Sequence, residues 1–146
     1  FTELRLVFRN PEPRVREGTF RVALPQRANV ARFAMKVGSR WQEGEVVEKQ
    51  RARQAYEDFL HRRQDPALLE RGPGNEFSAR VFPIAASSEK EIILSYAEEL
   101  VGGAPYVLPL QGLGDIGELD VQVRGDGPGV ELVQRDARPE ADVVYE

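Results

Sequence analysis

Apolar and polar residues alternate with period two along the first third of the chain: Leu4, Leu6 and Phe8, then Phe20, Val22 and Leu24, then Val30, Phe33, Met35 and Val37. Successive side chains of a strand point to opposite faces, so this period predicts half-buried β-strands. Asn10-Pro11-Glu12-Pro13, Leu24-Pro25-Gln26 and Val37-Gly38-Ser39 separate the runs. They supply turns, because Pro fixes φ and Gly permits positive φ. After Gly44 the period changes. Ala52, Ala55, Tyr56, Phe59 and Leu60 fall at i, i+3, i+4, i+7 and i+8, the spacing of one face of an amphipathic helix over about residues 47–63. Asp65-Pro66 stops that helix and opens a short turn through Ala67-Leu68-Leu69-Glu70, and Gly72-Pro73-Gly74 reads as a loop.

Strand character returns over residues 76–84 and 91–98. Ser88-Glu89-Lys90-Glu91 has the spacing of a helix capping box, but the β-branched pair Ile92-Ile93 and the alternation after it favour a strand. Residues 106–110, 119–123 and 130–133 predict three further short strands. Together these elements predict a mainly β fold, an antiparallel β-sandwich-like domain with one amphipathic helix packed on the sheet. The apolar helix face is expected in the core with Phe20, Phe33, Val81, Ile92 or Ile93, and Leu94.

Composition narrows what such a domain can do. A chain of 146 residues has the size of one compact domain, so residues 1–146 are read as a single unit. With no Cys there is no disulfide framework, thiolate metal site or Cys nucleophile, and one His cannot build a His-rich metal site. The longest uncharged apolar run, Val101 to Leu113, is interrupted by Gly, Pro and Gln and falls short of the roughly 20 residues of a membrane span. Lys and Arg number 20 against 24 Asp and Glu, a net charge of −4, which disfavours a nucleic-acid surface. Only Lys36, Lys49 and Lys90 are Lys; the other basic residues are Arg, a bias associated with GC-rich bacterial genomes. The chain opens at Phe1, as a trimmed segment would, and no signal peptide is visible.

The motifs, in order, resemble a vault/inter-α-trypsin (VIT) domain. Those that carry the resemblance are Phe8-Arg9-Asn10-Pro11, Glu17-Gly18-Thr19-Phe20 leading to Leu24-Pro25, Met35-Lys36-Val37-Gly38, Glu43-Gly44, Val46, Glu48-Lys49, Ala52-Arg53 and Tyr56-Glu57. Gln64-Asp65-Pro66-Ala67-Leu68-Leu69-Glu70, Asn75, Phe77, Val81-Phe82-Pro83-Ile84 and the strand ending at Tyr96 continue the match. The resemblance covers residues 1–110, with residues 111–146 as additional C-terminal strands. It implies a β-rich, non-catalytic module, commonly placed just before a von Willebrand factor A (vWA) domain in a larger protein; no Asp-x-Ser-x-Ser of such a domain occurs here. The compartment is left open, with a bacterial cell-envelope or secreted setting favoured over a cytoplasmic one. The family usually has a strand ahead of the one holding Leu4, Leu6 and Phe8, and this sequence lacks it, which makes that edge the candidate interaction site.

Several patterns invite chemistry and have plainer readings. Gly112-Leu113-Gly114-Asp115-Ile116-Gly117 is a literal G-x-G-x-x-G, but an alternating segment follows where a phosphate site needs a helix, so a glycine-rich β-connection is expected. His61 is the only imidazole. A hydrolase would need it beside Ser78, Ser87 or Ser95 and a carboxylate, and no G-x-S-x-G elbow is present. Lys49, Arg51, Arg53, Arg62 and Arg63 share their segment with Glu48, Glu57 and Asp58 at ion-pairing spacings, the pattern of a solvated face. Glu98, Glu99, Asp115, Glu118, Asp120 and Asp126 lack EF-hand spacing, and Trp41 and Tyr56 read as core or half-buried anchors. The expectation is therefore a protein with no catalytic, cofactor or metal site, which binds an adjacent vWA-like domain or a second copy through its unpaired strand edge. Binding of a small molecule or glycan is the alternative, and a His61 hydrolase the second; neither nucleic acid nor membrane insertion is expected.

Overall fold

The computed structural model describes residues 1–48 and 68–146 of the chain. Their strands are β1 (Thr2–Asn10), β2 (Arg16–Ala23), β3 (Asn29–Val37), β4 (Arg40–Glu43), β5 (Glu45–Glu48), β6 (Leu68–Arg71), β7 (Glu76–Ile84) and β8 (Ser88–Ala97). β9 (Tyr106–Leu108), β10 (Ile116–Val123), β11 (Val130–Ala137) and β12 (Val143–Tyr145) follow. The described residues form two compact units, Phe1–Glu99 and Leu100–Glu146.

In the first unit the strands make two four-stranded sheets, ordered β1-β8-β3-β4 and β2-β7-β6-β5. Alternation dictates what lies between them. β1 offers Leu4, Leu6 and Phe8; β3 and β8 offer Phe33, Met35, Ile92, Leu94 and Tyr96; β2, β6 and β7 offer Phe20, Val22, Leu69, Phe77, Ala79 and Val81, all in one apolar cluster. Phe8 and Phe20 meet edge to face, with ring centroids 6.4 Å apart, and so tie the first strand of each sheet together. The expected core residues Phe20, Phe33, Val81, Ile92, Ile93 and Leu94 are all buried. Ile93 is buried on the face opposite Ile92, together with Ala34 and Ser95, so the middle strands of this sheet are covered on both faces. On the far side of the sandwich the chain passes directly from β4 in one sheet to β5 in the other, and Gly44 N–H donates to the Phe33 carbonyl at the corner.

Two expectations change, and one falls almost wholly outside the described residues. The helix expected over 47–63 lies outside the described residues except at its start, where Val47 and Glu48 continue β5; Glu45-Val46-Val47-Glu48 carries a β-branched pair, which favours a strand. Leu68-Leu69-Glu70 is strand β6 rather than a turn, and Leu69 is fully buried. Nor is the sandwich wholly antiparallel. β5 and β6 pair in parallel, Glu45 with Leu68 through Glu48 with Arg71, and the 19 residues between them exceed the dozen or so that a parallel connection needs. Gly72-Pro73-Gly74 leads into a single 3-10 turn, Pro73–Asn75.

The second unit holds two antiparallel pairs, β9 with β12 and the longer hairpin β10–β11. The Tyr145 hydroxyl accepts a hydrogen bond from Gly127 N–H in the hairpin turn at 3.2 Å, and its ring lies against Gly125. Any Cβ at Gly125 would come within 2.8 Å of that ring.

Candidate interaction surface

Of the residues that carry the family resemblance, two asparagines have the most definite roles, and both are structural. Asn10 is almost fully buried at the end of β1. Its Nδ2 donates to the carbonyls of Arg14 at 2.7 Å, Ile84 at 3.0 Å and Ala85 at 3.1 Å, while its Oδ1 accepts from Glu12 N–H at 3.0 Å. One carboxamide therefore fastens the β1–β2 turn to the β7–β8 turn, and Ser87 N–H, donating to the Glu12 carbonyl at 3.0 Å, adds a second link. Asn75 does the same work at the other end of the sandwich. Its Nδ2 donates to the Pro25 and Ala28 carbonyls at 2.6 and 3.2 Å, and its own carbonyl accepts from Leu24 N–H at 3.1 Å. Its φ of 57° lies in the left-handed region, which Asn tolerates better than most residues.

The outward face of β1 and its neighbours carries a lattice of charges. Arg9 Nη2 meets Glu89 at 2.7 Å, Arg5 Nη2 meets Glu91 at 3.3 Å, Lys36 Nζ reaches the same Glu91 oxygen at 3.5 Å, and Arg32 Nη2 meets Glu43 at 2.7 Å. In the β1–β2 turn Glu12 accepts from Arg14 Nε at 2.9 Å and from Arg16. The Arg16 guanidinium first, then Arg14, holds the Glu12 carboxyl below the usual carboxylate range, and Arg32 does so for Glu43. These pairs are solvent-exposed and contribute little stability individually. Their effect is to fix which charges line the sheet.

The sheet edges are unequal. β1, with Leu4, Leu6 and Phe8 half-buried beneath it, has β8 on one side and, among the described residues, no strand on the other. All nine of its residues pair with β8 in unbroken register, from Thr2 opposite Tyr96 to Asn10 opposite Ser88. β2, the edge of the second sheet beside it, is bulged between Arg16 and Gly18. Among the described residues β1 is thus paired on one side only, in a regular register.

The remaining candidates fall in separate places. Ser78 is half-buried on β7, Ser87 is exposed in the β7–β8 turn, and Ser95 is buried on β8, while His61 lies outside the described residues together with Lys49, Arg51, Arg53, Tyr56, Arg62 and Arg63. The glycine-rich segment 112–117 leads into β10, a strand, and the amides just before it already face an anion: Leu110 and Gln111 N–H both donate to Asp142 Oδ1 at 2.9 Å. Asp115 pairs with Arg138 and Glu118 with Arg135. Among the described residues no group of three or more His, Asp or Glu side chains is placed to hold a metal ion. Trp41 is half-buried on β4, with the Lys36 ammonium 5.7 Å above its ring. Sequence reasoning did not assign roles to Asn10, Asn75 or Asp142; a buried side-chain amide bonded to distant backbone leaves no periodic trace.

Neither the curated proteins nor the solved structures provide a match to this chain. The family model for the vault protein inter-alpha-trypsin domain matches residues 1–96, a stretch that ends at Tyr96 in β8 and lies within the first compact unit. With most of its length matched, and with the motif asparagines serving as the fasteners of the sandwich, the chain belongs to the VIT domain family.

Proposed function

We propose that this VIT domain is a non-catalytic protein-interaction and scaffolding module of a larger multidomain protein, and that it packs against an adjacent domain, a vWA-like domain being the favoured partner. The observation that carries the reading is the division of labour among the motif residues. Asn10 and Asn75 are spent on backbone carbonyls, and Phe20, Leu69, Phe77 and Val81 on the core, so what remains for function is surface. A sandwich of this kind offers sheet edges and charged faces, which recognise other chains by strand addition and side-chain packing. The regular edge of β1 is the leading contact, with Leu4, Leu6 and Phe8 able to close over a neighbour.

The test is co-purification and calorimetry of this chain with the domains that flank it in its full-length protein. Binding, or a raised Tm of either partner, is expected. A chain that binds none of them but takes up a small molecule or glycan at a defined site, or turns over an ester with activity lost in His61→Ala, would replace this reading.

A further inference from the structure

Asp126-Gly127 is the only Asp-Gly or Asn-Gly pair in the chain. It lies in the turn between β10 and β11, outside the stretch matched by the family model, and both residues are exposed. In such a pair the Asp side chain stands next to the amide that follows it, and glycine has no side chain to hinder their approach. The Gly127 nitrogen attacks Asp126 Cγ, the amide proton and the carboxyl hydroxyl leave together as water, and a five-membered succinimide forms. Water then opens the ring at either carbonyl. One opening restores aspartate; the other leaves isoaspartate, in which the backbone runs through the former side-chain carboxyl. The step consumes no oxidant and no second substrate.

One side chain stands against this reaction. The Gly127 N–H, the group that must react, donates to the Tyr145 hydroxyl at 3.2 Å. The same ring rests on the glycines either side of Asp126: a Cβ at Gly125 would stand 2.8 Å from Tyr145 Cε1 and Oη, and one at Gly127 would stand 3.3 Å from Oη. Ring closure requires the Asp126–Gly127 peptide to turn its nitrogen toward Cγ, and that rotation breaks the hydrogen bond. We propose that Asp126-Gly127 is an isoaspartate-forming site held closed by Tyr145, so that the hairpin turn is converted covalently when Tyr145 leaves it. Tyr145 ends β12, which pairs with β9 through three residues, so the latch opens when a short strand pair frays. Conversion adds one backbone carbon to the turn that sets Val123 opposite Val130, and it loosens that end of the β10–β11 ladder.

The test incubates the chain folded in mildly acidic buffer and, in parallel, unfolded in urea. Isoaspartate is read by methyl transfer from S-adenosylmethionine with a purified isoaspartyl carboxyl methyltransferase, and peptide mapping places it. The unfolded chain is expected to accumulate isoaspartate at position 126, and the folded chain at least about tenfold more slowly, because reaction then waits on local opening. Tyr145→Phe keeps the ring, removes the acceptor and should react about fivefold faster than the parent, the effect of one net hydrogen bond. Tyr145→Ala removes the ring as well and should approach the unfolded rate. Asp126→Glu, whose cyclic product would need a six-membered ring, should leave position 126 silent. Amide exchange along β10 and β11 confirms that each variant keeps the hairpin, and Tyr145→Phe carries the comparison if Tyr145→Ala loses it. Equal rates in the folded and unfolded chain, or a parent-like rate in Tyr145→Phe with the hairpin intact, would overturn the latch. An unfolded chain that forms no isoaspartate at position 126 would overturn the site itself.

Discussion

Replacing Asn10 with Ala removes one side-chain amide and leaves four backbone groups without their partner: the carbonyls of Arg14, Ile84 and Ala85 and the N–H of Glu12. The four are not equivalent. The bond to Ile84 is buried, and an orphaned buried polar group costs about 1–3 kcal/mol. The other three are part-buried; water can reach them after the truncation, so they add about 1 kcal/mol together, giving roughly 2–4 kcal/mol in all. Asn10→Asp separates the donor from the shape. It keeps an oxygen to accept from Glu12 N–H but turns the other oxygen toward three carbonyls. The new carboxyl is therefore held neutral in the folded state, with its pKa raised above the unfolded value. By linkage its penalty is smallest below the unfolded carboxyl pKa of about 4 and grows as pH rises through that value toward the raised folded one. The aspartate variant should lose more stability at pH 7 than at pH 4, while the alanine variant loses a similar amount at both. Urea unfolding followed by the single Trp, which lies on β4 of the same unit, measures this directly. A loss below about 0.5 kcal/mol for Asn10→Ala, the range of surface changes, would refute the clamp, as would an aspartate variant as stable as the parent at pH 7.

Further outcomes follow from the same contacts. Asn75→Gly keeps the left-handed backbone and loses only the side-chain bonds to Pro25 and Ala28, whereas Asn75→Ala adds the strain of a positive φ and should unfold with about 1 kcal/mol less stability than the glycine variant, as read by urea midpoints. A Cβ at Gly129 would lie 2.8 Å from the Val123 carbonyl oxygen, so Gly129→Ala should cost about 1–3 kcal/mol and speed amide exchange along β10 and β11. Gly117→Ala, with open space at its Cβ, should change exchange little. Glu12 and Glu43 have folded pKa values lowered by Arg16 and Arg14 and by Arg32; their stabilisation is present above the unfolded Glu pKa of about 4.3 and fades as pH falls through the lowered values. Tm differences between the parent and Glu12→Gln or Glu43→Gln should accordingly be small at pH 7 and vanish in acid.

What the sequence disclosed is what periodicity encodes. The alternation of Leu4, Leu6 and Phe8 named β1 and its inward face, that of residues 91–98 named β8 but left Ile92 or Ile93 open as its inward row, and the proline and glycine turns separated β1 from β2 and β3 from β4. Period two could not show that Ala34, Ile93 and Ser95 are buried as well as the row on the other face, because burial of a second face depends on what lies over it. Leu68-Leu69-Glu70 was too short to have a period, and the proline before it suggested a turn; its pairing with both β5 and β7 comes from tertiary context that overrides local preference. β12, three residues long, left no signal. The edge position of β1 was suggested by the family resemblance alone, whereas the regularity of its pairing with β8 required the register.

The two asparagine clamps sit at opposite ends of the same ladder. β2 and β7 run from Arg16 opposite Ile84, beside the Asn10 clamp, to Ala23 opposite Glu76, beside Asn75. An isolated strand pair frays from its ends, and hydrogen exchange normally begins there. Here each end is closed by a side-chain amide that ties the turn flanking β2 to the turn flanking β7, so the ladder has no free terminus from which to unzip. Opening it requires both turns to release together with the core between the sheets, and its inner amides should exchange only through global unfolding, while β4 and β5, short strands at the edges of their sheets, exchange by local excursions.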